Sequence, residues 1–423
     1  MSDDERMTLD ERYKYLRMMK KRYEQANKQE KGRLLLEMEA MTGQHRKSLL
    51  RALNSRLERQ PRRRQRGNSY GPEVDDALRV IAESMDYVCA ERMTPGLVRM
   101  AHHLAAHNEL DLTPQLLLDL EQISVPTVRR HLQRLQQDQP HLARRRPNET
   151  NPMRREVPMK RLPWQESQPG HFEVDLVHHC GPSTSGEYVH TLQMIDVATG
   201  WSERVAVLGR SFRVMEAGFQ HCLERLPFPL RQIHPDNGAE FFNNQLLRFF
   251  GRIQPPVQLS RSRPYHKNDN RFVEQKNASL VRALLGYDRF DTIQHTNLLN
   301  HIYDLLWLYY NFFQPVMRLA EKTCTRTAQG TLHVKRQFDT AQTPFERLCA
   351  SQTASELDLH PLYALRQRTN PRQLRNHFYV LLDRFFALPT APPGVAQSVF
   401  QTFPIPFTIL EGGQDTLVAL SND

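Results

Sequence analysis

The run Ile233-His-Pro-Asp-Asn-Gly-Ala-Glu-Phe-Phe242 restricts the fold more than any other stretch of the 423 residues. Arg231-Gln-Ile233 has the short, partly apolar character of a strand, and Pro235 followed by Asn237-Gly238 ends it. Asp236 is therefore predicted at the C-terminal tip of a strand. Downstream, Ser260-Arg-Ser-Arg-Pro-Tyr-His-Lys-Asn-Asp-Asn-Arg-Phe-Val-Glu-Gln-Lys-Asn277 reads as a basic, proline-containing loop that runs into a helix. Phe272, Val273, Leu280, Val281, Leu284 and Leu285 give that helix an apolar stripe, and Glu274 lies off the stripe in its first turns. Upstream, His171-Phe-Glu-Val-Asp-Leu-Val177 alternates and is β-prone, with Asp175 inside it. One acid in a strand, one at a strand tip and one on a helix can converge on a divalent metal.

From Trp164 onward the pattern is that of an α/β fold. His171–His179, Glu187–Val197 and Trp201–Leu208 are three β-prone runs, separated by a long loop and by the tight turn Thr199-Gly200. A helix over Ser211–Leu226 follows, with Phe212, Met215, Phe219, Cys222, Leu223 and Leu226 on its buried side. The strand ending at Asp236, an amphipathic piece over Asn244–Phe250, a strand near Val257–Leu259 and the Glu274 helix complete the series. Three antiparallel strands, helix, strand, helix, strand, helix is the order expected of a ribonuclease-H-like core.

These residues, in this order, resemble the integrase-type (DDE) catalytic core of insertion-sequence transposases and retroviral integrases. The likeness runs from about Trp164 to Gly286. It is carried by F-E-V-D at Asp175, H-P-D-N-G-A-E-F at Asp236 and S-R-P-Y-H-K-N-D-N-R-F-V-E-Q at Glu274. Asp236 and Glu274 have 37 residues between them, somewhat more than is usual in integrase cores, a difference that loop length absorbs. The family often has Gly after the loop asparagine, whereas this chain has Asn268-Asp-Asn-Arg271. Asp269 is thus a rival acid, but a carboxylate at a helix start needs no catalytic explanation. Glu173, Asp196 and Glu240 are further decoys. Period two puts Glu173 on the same sheet face as Asp175, with the sheet edge as its expected place.

The resemblance implies a DNA transposase that uses two Mg²⁺ ions, with Mn²⁺ as a substitute. Two such ions can activate the attacking oxygen and stabilise the leaving one in phosphodiester chemistry. Asp175 would bridge both ions, and Asp236 and Glu274 would each hold one. Asn270 and Asn277 flank Glu274 at i−4 and i+3 on one helix face. With Arg261, Arg263, Lys267, Arg271 and Lys276, they are the candidates for holding DNA ends. The implied reaction frees a 3′-OH at each element end and directs it at a target phosphodiester. Its partners are duplex DNA, as element ends and as target, and further copies of the chain in a synaptic complex. The alternatives are a non-catalytic DNA-binding regulator descended from a transposase, and a structure-selective nuclease on the same fold.

Charge supports a polyanionic partner. Residues 1–162 carry 32 Lys and Arg against 23 Asp and Glu, whereas residues 163–423 carry 25 against 24. A basic half joined to an acid-bearing half suits a protein that grips DNA and acts on it. The first 60 residues read as helices broken at Thr42-Gly43, a helix-turn-helix pattern with Arg46, Lys47 and Arg51 on its second element. Residues 61–71 form a basic linker containing Arg62, Arg63 and Arg64. Residues 72–138 read as a second helical DNA-binding domain. Its last helix opens at Ser124, buries Val128, Leu132 and Leu135, and leaves Thr127, Arg129, Arg130, His131 and Arg134 as a polar remainder. His102, His103 and His107 lack the cysteine pair of a zinc site and fit a half-exposed helix face.

Residues 139–163 are a Pro/Arg-rich linker with Arg144, Arg145 and Arg146, suited to an extended arm over a DNA backbone. The core is assigned to 164–290, a helical extension to 291–350 and a C-terminal region without a derivable role to 351–423. Gln314–Gln342 is polar and basic with little periodicity, Thr343-Pro-Phe-Glu346 is a capping box, and Asn370–Leu388 is a helix. A terminal hairpin is expected around Gly412-Gly413. Five scattered cysteines without a C-x-x-C pair argue against a disulfide framework. No apolar run is long enough to span a bilayer, so the expected location is the bacterial cytoplasm, in association with the nucleoid.

Overall fold

The computed structural model describes residues 7–55, 57, 70–135, 168–235, 241, 244–260, 271–326, 332–392, 395 and 397–402. The chain divides into two compact units, Met1–Ser69 and Tyr70–Asp423.

The first unit holds α1 (Leu9–Gln25), α2 (Lys28–Thr42) and α3 (Arg46–Leu53). Thr8 and Asn27 open α1 and α2 with capping boxes completed by Glu11 and Glu30. Gly43 ends α2 in the left-handed region, at φ 65°, and gives its N–H to Glu39 O. A side chain there would be strained, which is why the helix break falls on a glycine. Leu16, Met19, Leu35, Met38, Leu49 and Leu53 form a small core of their own.

The second unit opens with α4 (Pro72–Ser84), α5 (Ala90–Met93), α6 (Leu97–Ala106), α7 (Pro114–Gln122) and α8 (Val125–Leu135). A five-stranded mixed sheet follows, built from β1 (His171–His178), β2 (Val189–Asp196), β3 (Ser202–Leu208), β4 (Gln232–Pro235) and β5 (Gln258–Leu259). Its order is β3-β2-β1-β4-β5. The first three strands are antiparallel, whereas β4 runs parallel to β1 and β5 parallel to β4. Helices α9 (Phe212–Glu224) and α10 (Asn244–Gly251) supply the crossovers. This connectivity agrees with the ribonuclease-H-like expectation.

Both faces of the sheet are covered. Phe172, Val174 and Leu176 join Phe219, Leu246 and Phe250 in one core cluster. Val177, Val189, Ala206 and Leu208 join Val281, Leu299, Ile302 and Tyr303 in another. The second group comes from α11 (Arg271–Lys276), which passes through a π-helical turn (Asn277–Arg282) into α12 (Ala283–Leu285), and from α13 (Ile293–Phe313). Beneath β3, Trp201 and Trp307 give their indole N–H groups to Glu203 Oε1 at 2.8 and 2.6 Å, and Arg225 pairs with Glu203 Oε2 at 3.0 Å. Burial pushes the Glu203 carboxyl above its ordinary pKa, opposed by the Arg225 charge and the two indoles.

After α13 come β6 (Leu319–Arg326), β7 (Leu332–Phe338), α14 (Pro344–Ser351), α15 (Glu356–Arg368) and α16 (Pro371–Ala387). The capping box of α14 forms as its sequence predicts. The segments separated in the sequence at 138, 290 and 350 are in contact within the second unit. Tyr309 and Gln314 of the α13 region donate to the carbonyls of Ser84 and Met85 at 2.9 and 2.7 Å. Arg372 binds Glu83 and Glu109, and Arg375 binds Asp86. His103 and His107 reach the carbonyls of Thr369 and Gln367, both at 2.9 Å, so these two histidines bridge to the end of α15.

Local details differ from expectation at some positions and add to it at others. Phe212 is 39% exposed, because the buried face of α9 is carried by Val214, Met215, Phe219 and Cys222. Residues 319–338 contain two strands instead of an aperiodic stretch, and 356–368 form a helix. The expected terminal hairpin lies outside the described residues.

Candidate active site

Asp175 sits on β1, in the middle of the sheet, and is half-buried. Its Oδ1 accepts the Leu176 N–H at 2.8 Å, and its Oδ2 accepts the Asn277 side-chain amide at 2.6 Å. Asn277 is itself buried, and Nδ2–H is a donor that suits an ionised carboxylate. Two residues earlier on the strand, Glu173 is fully buried. Its Oε2 accepts the backbone N–H groups of Phe272 and Val273 at 2.7 and 3.0 Å. These are orphan donors of the first turn of α11, which a buried carboxylate satisfies and whose dipole it complements.

Glu173 is therefore not at the sheet edge. β4 pairs along the outer side of β1, and α11 covers the face that Glu173 and Asp175 share. Two side chains of β1 thus hold the helix on which Glu274 lies. Val273, adjacent to Glu274, is buried, and Glu274 itself is exposed. Lys276 stands 5.0 Å from the ring centroid of Tyr310. On the far side of β1, Pro235 closes β4 opposite Val174, the neighbour of Asp175. His234 shares a 2.8 Å hydrogen bond with Ser260 Oγ, tying β4 to the end of β5.

Asp175 and the Glu274 helix are brought together. Asp236 lies outside the described residues, as do Arg62, Arg63, Arg64, Arg144, Arg145, Arg146, Arg261, Arg263, Lys267 and Asn270. Among the described residues no three His, Cys, Asp or Glu side chains are grouped as a metal site. The donor set of Asp175 and Glu274 is nonetheless of hard carboxylate oxygens, the kind that Mg²⁺ prefers.

The remaining candidates are spread over both units. Arg46, Lys47 and Arg51 are exposed on α3, opposite the buried Leu49 and Leu53. Arg271 begins α11. On α8, Arg129 pairs with Glu91, Arg134 pairs with Asp75 at 3.2 Å, and Arg130 donates to Thr127 Oγ1 at 2.9 Å. His131, expected among the polar remainder, is buried and bound to Asp75. Asp196 is fully buried as a turn-former, accepting the N–H groups of Gly170, His171 and Thr199. Glu173, a decoy in the sequence, is the acid that holds the first turn of α11, and its period-two relation to Asp175 is the sequence signal for it.

No protein-family model matches the sequence. Over 319 residues the chain is 36% identical to "Uncharacterized protein y4rM" of Sinorhizobium fredii (strain NBRC 101917 / NGR234), covering 75% of this chain and 91% of that protein. The chain belongs to the y4rM family. Among solved structures, the catalytic core domain of BIV integrase aligns with a TM-score of 0.29 and 14% identity, over 43% of this chain and 95% of that one. A simian T-cell lymphotropic virus intasome, in complex with PP2A regulatory subunit B56 gamma, aligns at 0.29 and 13% over 52% and 69%. In this y4rM-family chain no helix among the described residues is long and apolar enough to cross a membrane.

Proposed function

We propose that this protein is an integrase-type DNA transposase that frees 3′ ends of an element and joins them to target DNA. The observation that carries this reading is the Asn277–Asp175 hydrogen bond, which seats the helix of Glu274 against the strand of Asp175. Asp175, Asp236 and Glu274 would hold Mg²⁺. When bound, the metal supplies charge neutralisation at the phosphate and activation of the attacking oxygen. The chain's own residues do the rest. Glu173 and Asn277 would fix the helix from which Glu274 presents its carboxylate. Asn277 gives its amide N–H to Asp175 Oδ2 and so orients that carboxylate. Arg46, Lys47 and Arg51 on α3 offer a basic face to phosphates, sequence-independent contacts that set affinity and register. The resemblance in sequence motifs supports duplex DNA as partner and a multimeric assembly as the acting form.

The test is joining of a labelled element end into plasmid DNA with Mg²⁺. Wild type is expected to give joined product and Glu274→Gln none, while both bind the end equally. Cutting without joining would favour a nuclease. Binding alone by the wild type would favour a regulator.

A further inference from the structure

Among the described residues, strands β6 and β7 pair only with one another. Successive residues 335, 336, 337 and 338 of β7 are all exposed, so both faces of that half of the strand meet solvent. A two-stranded ribbon without a covered face is marginal in water. The charge makes it more so. From Arg318 to Phe338 the chain carries Arg318, Lys322, Arg326, Lys335 and Arg336 against the single acid Glu321. Positions 322 and 336 are directly opposed in the register, and 323 faces 335. Like charges placed opposite one another destabilise a strand pair unless an anion lies over them.

The root of the ribbon is nevertheless well anchored. Arg318 N–H donates to Asp339 Oδ1 at 2.7 Å, and Arg347 binds Asp339 Oδ2 at 2.8 Å. Val316 and Gln342 exchange backbone hydrogen bonds at 2.8 and 3.2 Å. The Arg318 guanidinium reaches the carbonyl of Ala198 in the β2–β3 turn and stands 6.0 Å from the ring centroid of Phe272. Phe272 is the residue whose N–H is held by Glu173. The ribbon thus rises from a fixed point beside the candidate active site.

We propose that the β6–β7 ribbon is a duplex-DNA contact, lying in the major groove next to the acids. The proposal rests on the DNA-joining reading above and adds a surface to it. The major groove admits a two-stranded ribbon. Seven residues at about 3.4 Å each give a ribbon of roughly 24 Å, most of one helical turn of duplex. The basic side chains disfavour pairing of its edges with a second copy of the chain.

The experiment compares the full-length wild type with Lys335→Gln/Arg336→Gln, a change confined to exposed positions. Anisotropy of a labelled duplex of roughly 40 base pairs is followed from about 50 to 300 mM NaCl, a range in which phosphate contacts dominate the affinity. Neighbouring strand residues point to opposite faces, so the variant removes at least one phosphate contact, and the slope of log K against log[salt] is expected to flatten by about 0.9 or more, with roughly fivefold weaker binding near 150 mM salt. A photo-crosslinking residue at Gln337 is expected to capture the duplex. An unchanged slope, or no crosslink, overturns the proposal. So does a variant whose slope holds while its mass in light scattering falls, since the ribbon would then join copies of the chain. Wild type that binds DNA but never joins ends would sink the transposase reading alone. Wild type that joins ends while the double variant binds as it does would sink the ribbon alone.

Discussion

Asn277 Nδ2 lies 2.6 Å from Asp175 Oδ2, and this contact joins the central strand to the helix that bears Glu274. Replacing Asn277 by Asp sets two carboxylates against each other at that distance. A hydrogen bond to a charged group contributes about 1.5–3 kcal/mol, with the lower end expected beside the half-buried Asp175. Asn277→Asp is expected to lose that much in a urea melt and to reduce end joining at least tenfold at temperatures where it stays folded. Joining at the wild-type rate would separate Asn277 from the chemistry.

Glu173 is a second tie. Glu173→Ala leaves two buried N–H groups without their acceptor and is expected to cost about 2–4 kcal/mol. Glu173→Gln keeps an acceptor oxygen and is expected to cost about half as much. Denaturant midpoints at unchanged m-value measure both. Hydrogen exchange at Phe272 and Val273 should accelerate in the Ala variant before that of the rest of the sheet.

The buried pair Glu203–Arg225 offers a test of the core. Arg225→Met removes the cation and leaves Glu203 charged among Trp201 and Trp307, which is expected to cost about 3–5 kcal/mol. Arg225 also binds Asp304 at 2.7 Å, and both variants lose that contact, but Glu203→Gln/Arg225→Met removes the fully buried uncompensated charge, so the double variant should be more stable than the single one. Thermal melts of the two variants decide it.

Acid sensitivity should come from β1 and β2. Burial, and then the neighbouring His178, pushes the His190 pKa down to about 3, and burial holds His179 well below the ordinary histidine range. The unfolded chain therefore takes up these protons first. The stabilisation is complete above about pH 6.5 and is lost as pH falls towards 3, at up to about 1.4 kcal/mol per pH unit for each histidine. Stability measured between pH 7 and 5 should fall on this slope, and His190→Gln should flatten it by about one proton.

Much of the core is legible in the sequence because β1 to β3 carry strong β signals and α9 to α13 carry helical ones. Depth is not. Period two assigns Glu173 to the face of Asp175, but only the pairing of β4 with β1 and the docking of α11 make that face an interior. The ribbon β6–β7 escapes for the opposite reason: a strand with water on both faces has no alternation to read. The histidines of α6 gain their meaning from Gln367 and Thr369, more than 250 residues away in sequence. Such partners leave no local trace. For the acids, Asn277 ties the helix that bears Glu274 to Asp175, and Asp236 lies outside the described residues.

The π-helical turn at Asn277–Arg282 holds one residue more than an α-helical path of equal rise. Each residue of an α-helix advances the face by about 100°, so the surplus puts the two halves of this helix out of phase. The first half can aim Asn277 at Asp175 while the second aims Val281 and Leu285 into the hydrophobic interior. Deleting the exposed Ser279 would restore a uniform helix and force a choice between them: either the carboxylate loses its amide or the interior loses its aliphatic plugs.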